Sequence, residues 1–250
     1  AAWIAFTLPS ALALVLAAYG VASAGDALDA GWLRGFKIVA VAVVAQAVWG
    51  MARNLCPDRA RFTVAVAAAL VVTAWPTSAG QIAAIVCGAL IGRFAFSANV
   101  QAGVSALALP FGRGAGAFCL ALFFALLLGL PIAATLHPAE AVAVFDSFYR
   151  SGALVFGGGH VVLPLLQSEV VPPGWVGNDA FLAGYGMAQA IPGPLFTFAA
   201  YLGTLMNVQP NGWAGAVLCT VAIFLPGFLL MVGVLPFWDR LRRHAPVRSA

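Results

Sequence analysis

Along most of this chain apolar residues follow one another for roughly 17–25 positions at a time, the length an α-helix needs to cross a bilayer. The period-two alternation of a membrane β-barrel is absent. The first segment runs from Ala2 to Val21 and contains Leu8-Pro9; after a loop with Asp26, Asp29 and Arg34, a second runs from Phe36 to Ala52, with Lys37 near its start. Phe62 to Trp75 and Gln81 to Phe96, joined by the uncharged turn Pro76-Thr77-Ser78, predict a helical hairpin. A less uniformly apolar stretch with Pro110, Arg113 and several glycines leads into a fifth segment, Ala115 to Leu136. Three more follow: Ala141 to Val171, Phe181 to Asn207, and Trp213 to Pro236, the last carrying Leu225-Pro226-Gly227.

Two of these segments are interrupted. The first contains Phe156-Gly157-Gly158-Gly159-His160, and the second ends the run Gly184-Tyr185-Gly186-Met187-Ala188-Gln189-Ala190 with Ile191-Pro192-Gly193-Pro194. Glycine and proline stop helices. In hydrocarbon such a stop strands backbone N–H and C=O groups, so it survives only where protein or a water-filled cavity covers it. The two interruptions are therefore the candidate working site.

Composition removes the alternatives to a membrane protein. Hydrophobic residues make up 63% of the 250 and charged residues 8%, with a mean hydropathy of +0.99, whereas a soluble domain carries roughly 25% charge. The net charge of +4 does not point to nucleic acid, because the basic residues are dispersed into short connections and one C-terminal cluster, Trp238 to His244. In a membrane protein that pattern marks the cytoplasmic face. Cys56, Cys87, Cys119 and Cys219 have no metal spacing and read as small buried hydrophobes. No metal or cofactor is expected. Ala1 opens almost directly into a helix with no initiator Met or signal peptide, so the chain is expected to be a fragment.

With Arg53 to Arg61, Arg93 to Arg113 and Arg240 to Arg248 inside, the connection from His137 to Asp146 falls outside, as does Ser168 to Asn178. Both interrupted segments would then enter and leave from the outer face as re-entrant hairpins. Complete crossing by discontinuous helices gives the final span the same parity. A weak internal match, Phe6-Thr7-Leu8-Pro9 against Phe224-Leu225-Pro226, would place similar segments in opposite orientations, a common transporter plan. The fold class is thus an all-α polytopic membrane protein, with transmembrane helices, two broken or re-entrant helical segments and an inverted repeat.

Inside the apolar spans His160 is the one titratable group expected deep in the membrane, while Lys37, Arg61 and Arg93 sit where they can snorkel. The absence of a buried Asp or Glu would count against a carboxylate-driven pump and for an anionic substrate. A helix that restarts after a break offers unpaired N–H groups at the positive end of its dipole. Pro194 suits the first position of such a helix, leaving the N–H groups of Leu195, Phe196 and Thr197 free. Gln189, Thr197, Tyr185 and His160 could add side-chain hydrogen bonds. The blander readings are helix packing for the glycines, a kink for the prolines, a satisfied interior hydrogen-bonder for His160, an interfacial aromatic for Tyr185, an interfacial anchor for Arg150, and solvated loop positions for Glu169 and Asp179. Without a second buried titratable group near His160, the chain is not expected to be an enzyme.

From Phe156-Gly157-Gly158-Gly159-His160 to Leu166, through Pro173-Gly174-Trp175, Phe181 to Gly203 and Leu225-Pro226-Gly227 to Leu241, the sequence strongly resembles the second half of the chromate ion transporter family; the earlier part is similar to the end of the first half. The resemblance implies a bacterial inner-membrane carrier of two homologous halves, exporting chromate and recognising the isosteric anion sulfate. It implies that residues 1–97 end the first repeat, 98–114 connect the repeats in the cytoplasm, and 115–250 form an incomplete second repeat. It points to Gly157, Gly158, Gly159, His160, Gln189, Pro192, Gly193, Pro194 and Thr197 as the substrate region, with Tyr185 and Arg150 accessory. Alternating access through helix N-termini is the expected mechanism, with an anion channel or a non-transporting membrane component as the alternatives. The expected partners are the anion and the lipid bilayer, with a homodimer left open and no nucleic acid.

Overall fold

The computed structural model describes residues 2–24, 31–75, 78–95, 112–136, 139–155 and 162–238. The helices are α1 (Ala2–Ala24), α2 (Gly31–Leu55), α3 (Arg59–Ala74), α4 (Ser78–Ala95), α5 (Arg113–Leu136), α6 (Glu140–Ala153), α7 (Val162–Val170), α8 (Asn178–Ala190), α9 (Phe198–Leu205) and α10 (Gly212–Val234). There is no strand among the described residues. α1, α5 and α10 are long and apolar enough to cross a membrane. The glycine-rich run at 156–160, the turn at Pro76-Thr77, the 98–111 part of the connection and the C-terminal basic cluster lie outside the described residues, as do the side chains of Lys37 and Arg93.

The chain forms two compact units. The smaller, 51–125 with 228–250, contains the predicted hairpin as α3 and α4. Asp58 caps α3 by accepting from the N–H of Arg61 at 2.8 Å, satisfying one of the first-turn donors. Within the same unit Gly116 of α5 lies against the backbone of Gly233, an approach that a larger side chain would prevent.

The larger unit, 1–50 with 126–227, carries both interrupted segments. Each interrupted segment folds back on itself. Arg150 of α6 meets Glu169 of α7 at 2.9 Å, 19 residues along the chain. The Tyr201 hydroxyl of α9 donates to the Ala180 carbonyl of α8 at 2.9 Å, 21 residues away. Phe198 packs edge-on against Phe181 at 5.1 Å, and the place of a Cβ on Gly184 is filled by the Tyr201 ring. Helices of 14 and 13 residues, α6 and α8, are about 20 Å long at ~1.5 Å per residue, short of the ~30 Å hydrocarbon core.

The open ends of the two hairpins are tied together. Asn207, just after α9, donates its N–H to the Trp175 carbonyl at 2.9 Å and its side-chain amide to Gly174 at 3.2 Å. The Glu140 carboxylate at the start of α6 accepts the N–H of Gln209 at 2.8 Å.

α1 and α10 flank this core in opposite directions. Tyr19 faces Trp213 at 6.3 Å, and Trp3 meets Phe224 edge-on at 5.0 Å. The two helices that carry the Leu-Pro segments are thus antiparallel neighbours. α9 is the most enclosed element, every residue from Phe198 to Thr204 being buried. It packs on α1, and its Gly203 lies against the backbone of Gly215 on α10. α1 is patterned for this place. Thr7, Ser10, Leu14, Ala18 and Val21 are buried along one stripe, while Ile4, Phe6, Leu8, Leu12 and Leu16 are exposed on the other faces, as a lipid-facing helix requires. The cysteines depart from expectation: Cys219 is buried, but Cys87 is exposed and Cys56 and Cys119 are intermediate. An apolar helix side in a bilayer needs no protein cover, and a thiol there is as well accommodated by lipid.

Candidate functional site

The second interruption is described in full. α8 ends as the Ile191 N–H bonds the Met187 carbonyl at 3.1 Å, and Pro192, Gly193 and Pro194 then carry the chain away, with only the glycine able to donate. The helix does not restart at Pro194. That residue is extended (φ −69°, ψ 131°) and precedes a 3-10 turn, Leu195–Thr197, before α9 begins at Phe198. One expectation is thereby corrected. The Thr197 N–H is taken by the Pro194 carbonyl at 2.9 Å, and its hydroxyl by the same oxygen at 2.7 Å. A 3-10 turn closes one residue sooner than an α-turn, so it consumes the third donor. The N–H groups of Leu195 and Phe196 have no acceptor among the described residues.

This break seats on α1. The position a Cβ of Gly193 would take is filled by the Ser10 side chain, with the Phe6 carbonyl 3.8 Å away. Ser10 donates to the Thr7 carbonyl at 2.9 Å, and Thr7, 3% exposed, keeps its Oγ1 buried with no partner among the described residues. Nearby on α8, Gln189 Nε2 donates to the Tyr185 hydroxyl at 2.8 Å, joining two residues that the sequence singles out. Tyr185 is buried, which sets aside the interfacial-aromatic reading.

Both hairpins reach the same level of α10. Gly152, in the last turn of α6, lies against the backbone of Ile223, and Phe196 packs on Phe224 at 5.5 Å. Ile223 is about 17 Å from the start of a helix some 34 Å long, so the break sits near its middle. Gly157, Gly158, Gly159 and His160, between α6 and α7, lie outside the described residues.

α6 corrects the electrostatic picture. Asp146, expected in an outer connection, is 6% exposed on α6, and Glu169, expected in a solvated loop, is on α7. Both reach one nitrogen of Arg150, at 3.1 and 2.9 Å. Arg150 is thus neither a free anchor nor a free clamp, although its Nε is buried without a partner among the described residues. Two carboxylates against one guanidinium leave the group formally at −1. The expectation that no buried carboxylate exists fails here, because the arginine one turn from Asp146 offsets the cost of burying it. The spacing Asp146, Arg150 is the i,i+4 signal that marks this pair in the sequence. Thr7, Ser10 and Ser151 also lie outside the expected set, and their sequence signal is hydroxyls spaced on buried faces. Asp179 is exposed, in the first turn of α8 rather than a loop. Among the described residues no group of His, Cys, Asp and Glu side chains could hold a metal.

Comparison with known proteins places the chain. The chromate transporter family model matches residues 1–93 and 142–250. A chromate transport protein of Pseudomonas aeruginosa is 29% identical over 96% of this chain and 55% of its own length. The uncharacterized transporter YwrB of Bacillus subtilis is 41% identical over 39% of the chain and 49% of its own. A chromate transport protein of Cupriavidus metallidurans is 31% identical over 37% of the chain and 22% of its own. The chain spans about half the length, or less, of these three relatives, and no solved structure matches it. Interrupted helices on a lipid-facing scaffold and a family match across both described units converge: this membrane protein belongs to the chromate transporter family.

Proposed function

We propose that this protein works in a secondary transporter for a tetrahedral oxyanion, chromate first with sulfate as the related substrate, exporting it by alternating access across a bacterial inner membrane. The observation that carries the reading is the Pro192-Gly193-Pro194 break, held half-way along α10 and against α1, with the N–H groups of Leu195 and Phe196 unpaired among the described residues. A dianion at mid-membrane needs donors without a permanent surplus of fixed positive charge, and backbone N–H groups meet that need. Gly193 and Pro194 shape the approach, and Gln189 and Tyr185 border it. Gly157 to His160 would complete the site from the other hairpin, and residues 1–97 and 115–250 would belong to two repeats joined by 98–114. Both segments would be re-entrant from the outer face, a reading supported by their shortness and their tied open ends.

Chromate flux into inside-out vesicles under imposed sulfate and pH gradients tests the proposal. Flux accelerated by sulfate on the opposite side is expected. Flux that ignores the opposing anion would identify a channel, and no chromate flux above empty vesicles would end the chromate assignment.

A further inference from the structure

Hydroxyl groups inside apolar helices have a standard solution to burial: they bond back to a carbonyl three or four residues earlier. Ser10, Ser23, Thr135, Ser168, Thr204 and Thr220 all do so, at 2.7–2.9 Å. Thr7 and Ser151 do not. They are 3% and 1% exposed, and each hydroxyl oxygen is buried with no partner among the described residues. Leaving such a group unsatisfied forfeits its hydration with nothing in return, so two of them in one unit need a reason.

Their positions supply it. Thr7 lies one turn from Ser10 on the buried stripe of α1, on the face whose Ser10 side chain occupies the space above Gly193. Ser151 lies in the last turn of α6, immediately before Gly152, which abuts the middle of α10 at Ile223. Thr7 therefore borders the second interruption, and Ser151, five residues before Phe156 along the chain, lies beside the glycine that meets the middle of α10. We propose that Thr7 and Ser151 are substrate-binding residues whose hydroxyls donate to the oxyanion, completing with neutral side chains the coordination begun by the N–H groups of Leu195 and Phe196. The inference rests on the oxyanion reading above and assigns the donors of that same site. A tetrahedral anion presents oxygens in four directions, and donors on α1, at the end of α6 and in the 3-10 turn, being on separate elements, suit such a ligand. Because the hydroxyls are uncharged, they add affinity without trapping a dianion in the membrane interior.

Equilibrium binding of chromate and of sulfate to the purified full-length protein, for wild type, Thr7→Val, Thr7→Ser and Ser151→Ala, tests this. A hydrogen bond to a charged group corresponds to about tenfold or more in affinity. Thr7→Val and Ser151→Ala are expected to weaken binding by that factor, and Thr7→Ser to retain it. The ligand-free Thr7→Val protein should melt no lower than wild type, since an unsatisfied buried hydroxyl has been removed. If Thr7→Val does not accumulate, Thr7→Ala replaces it. Unchanged affinity in folded Thr7→Val and Ser151→Ala proteins overturns the inference alone. A fall in melting temperature without loss of affinity makes the hydroxyls structural and also overturns it. A wild-type protein that binds neither anion overturns it together with the oxyanion reading.

Discussion

Ser10 of α1 occupies the space that a side chain on Gly193 would need: a Cβ at Gly193 would stand 2.5 Å from that of Ser10. Real carbon atoms do not approach so closely, so Gly193→Ala must push α1 off the break. Overpacking of this kind costs about 1–3 kcal/mol, and transport should fall at least tenfold. Ser10→Gly makes room, so the double variant should recover part of the stability. Simple additivity of the two changes, measured by thermal unfolding in detergent, would show that the contact is not energetically real.

Gly203 and Gly215 let α9 and α10 meet backbone to backbone, with Cys219 Sγ 2.9 Å from the place of a Gly203 Cβ. Gly203→Ala should lower stability by about 1–3 kcal/mol, and Gly203→Leu should prevent accumulation of folded protein. Gly227, which has nothing within 4 Å of a built Cβ, is the matched control and should accept alanine with little change.

The Asp146, Arg150 and Glu169 cluster predicts an asymmetry. Arg150→Met strands two carboxylates and should cost about 3 kcal/mol, the lower end of the range for breaking a buried pair, since Arg150 is 28% exposed. The triple change Asp146→Asn, Arg150→Met, Glu169→Gln should be milder than the single one. Equal or greater damage in the triple variant, read from melting temperature, would assign the cluster a role other than mutual neutralisation.

Tyr201 tests the second hairpin itself. Its hydroxyl makes the hydrogen bond from α9 to the Ala180 carbonyl, so Tyr201→Phe removes one bond between the two arms of the hairpin, while the carbonyl keeps its place in the α8 helix. A loss of about 1–2 kcal/mol is expected. Faster amide exchange in α8 than in α10 would locate the loss in the hairpin.

The sequence reveals the interruption at Pro192-Gly193-Pro194 because glycine and proline act locally, on their own dihedral angles and hydrogen bonds. The hairpin α3 and α4 is legible for the same reason, from two apolar runs and a short turn. What lies against the break is not legible. Ser10 and Gly193 meet only because α1 packs on α9, and composition says nothing about which of several apolar helices does so. The 3-10 turn at Leu195–Thr197 is likewise hidden, since Thr197 could cap or continue a helix equally well. The place of Asp146 is hidden for the same reason: a single carboxylate next to a loop reads as exposed, and its burial depends on partners one turn away and across the hairpin.

The bonds from Asn207 to Gly174 and Trp175 bind the exit of one hairpin to the turn that links it to the other. Mechanically that makes a yoke: neither arm can swing at its base without dragging its neighbour. Any rearrangement that opens the centre of the molecule must then carry both arms as a pair, sliding along the glycine contacts at Gly152 and Gly203, or else sever the yoke first. A disulfide engineered across the yoke would leave the first kind of motion free and arrest the second.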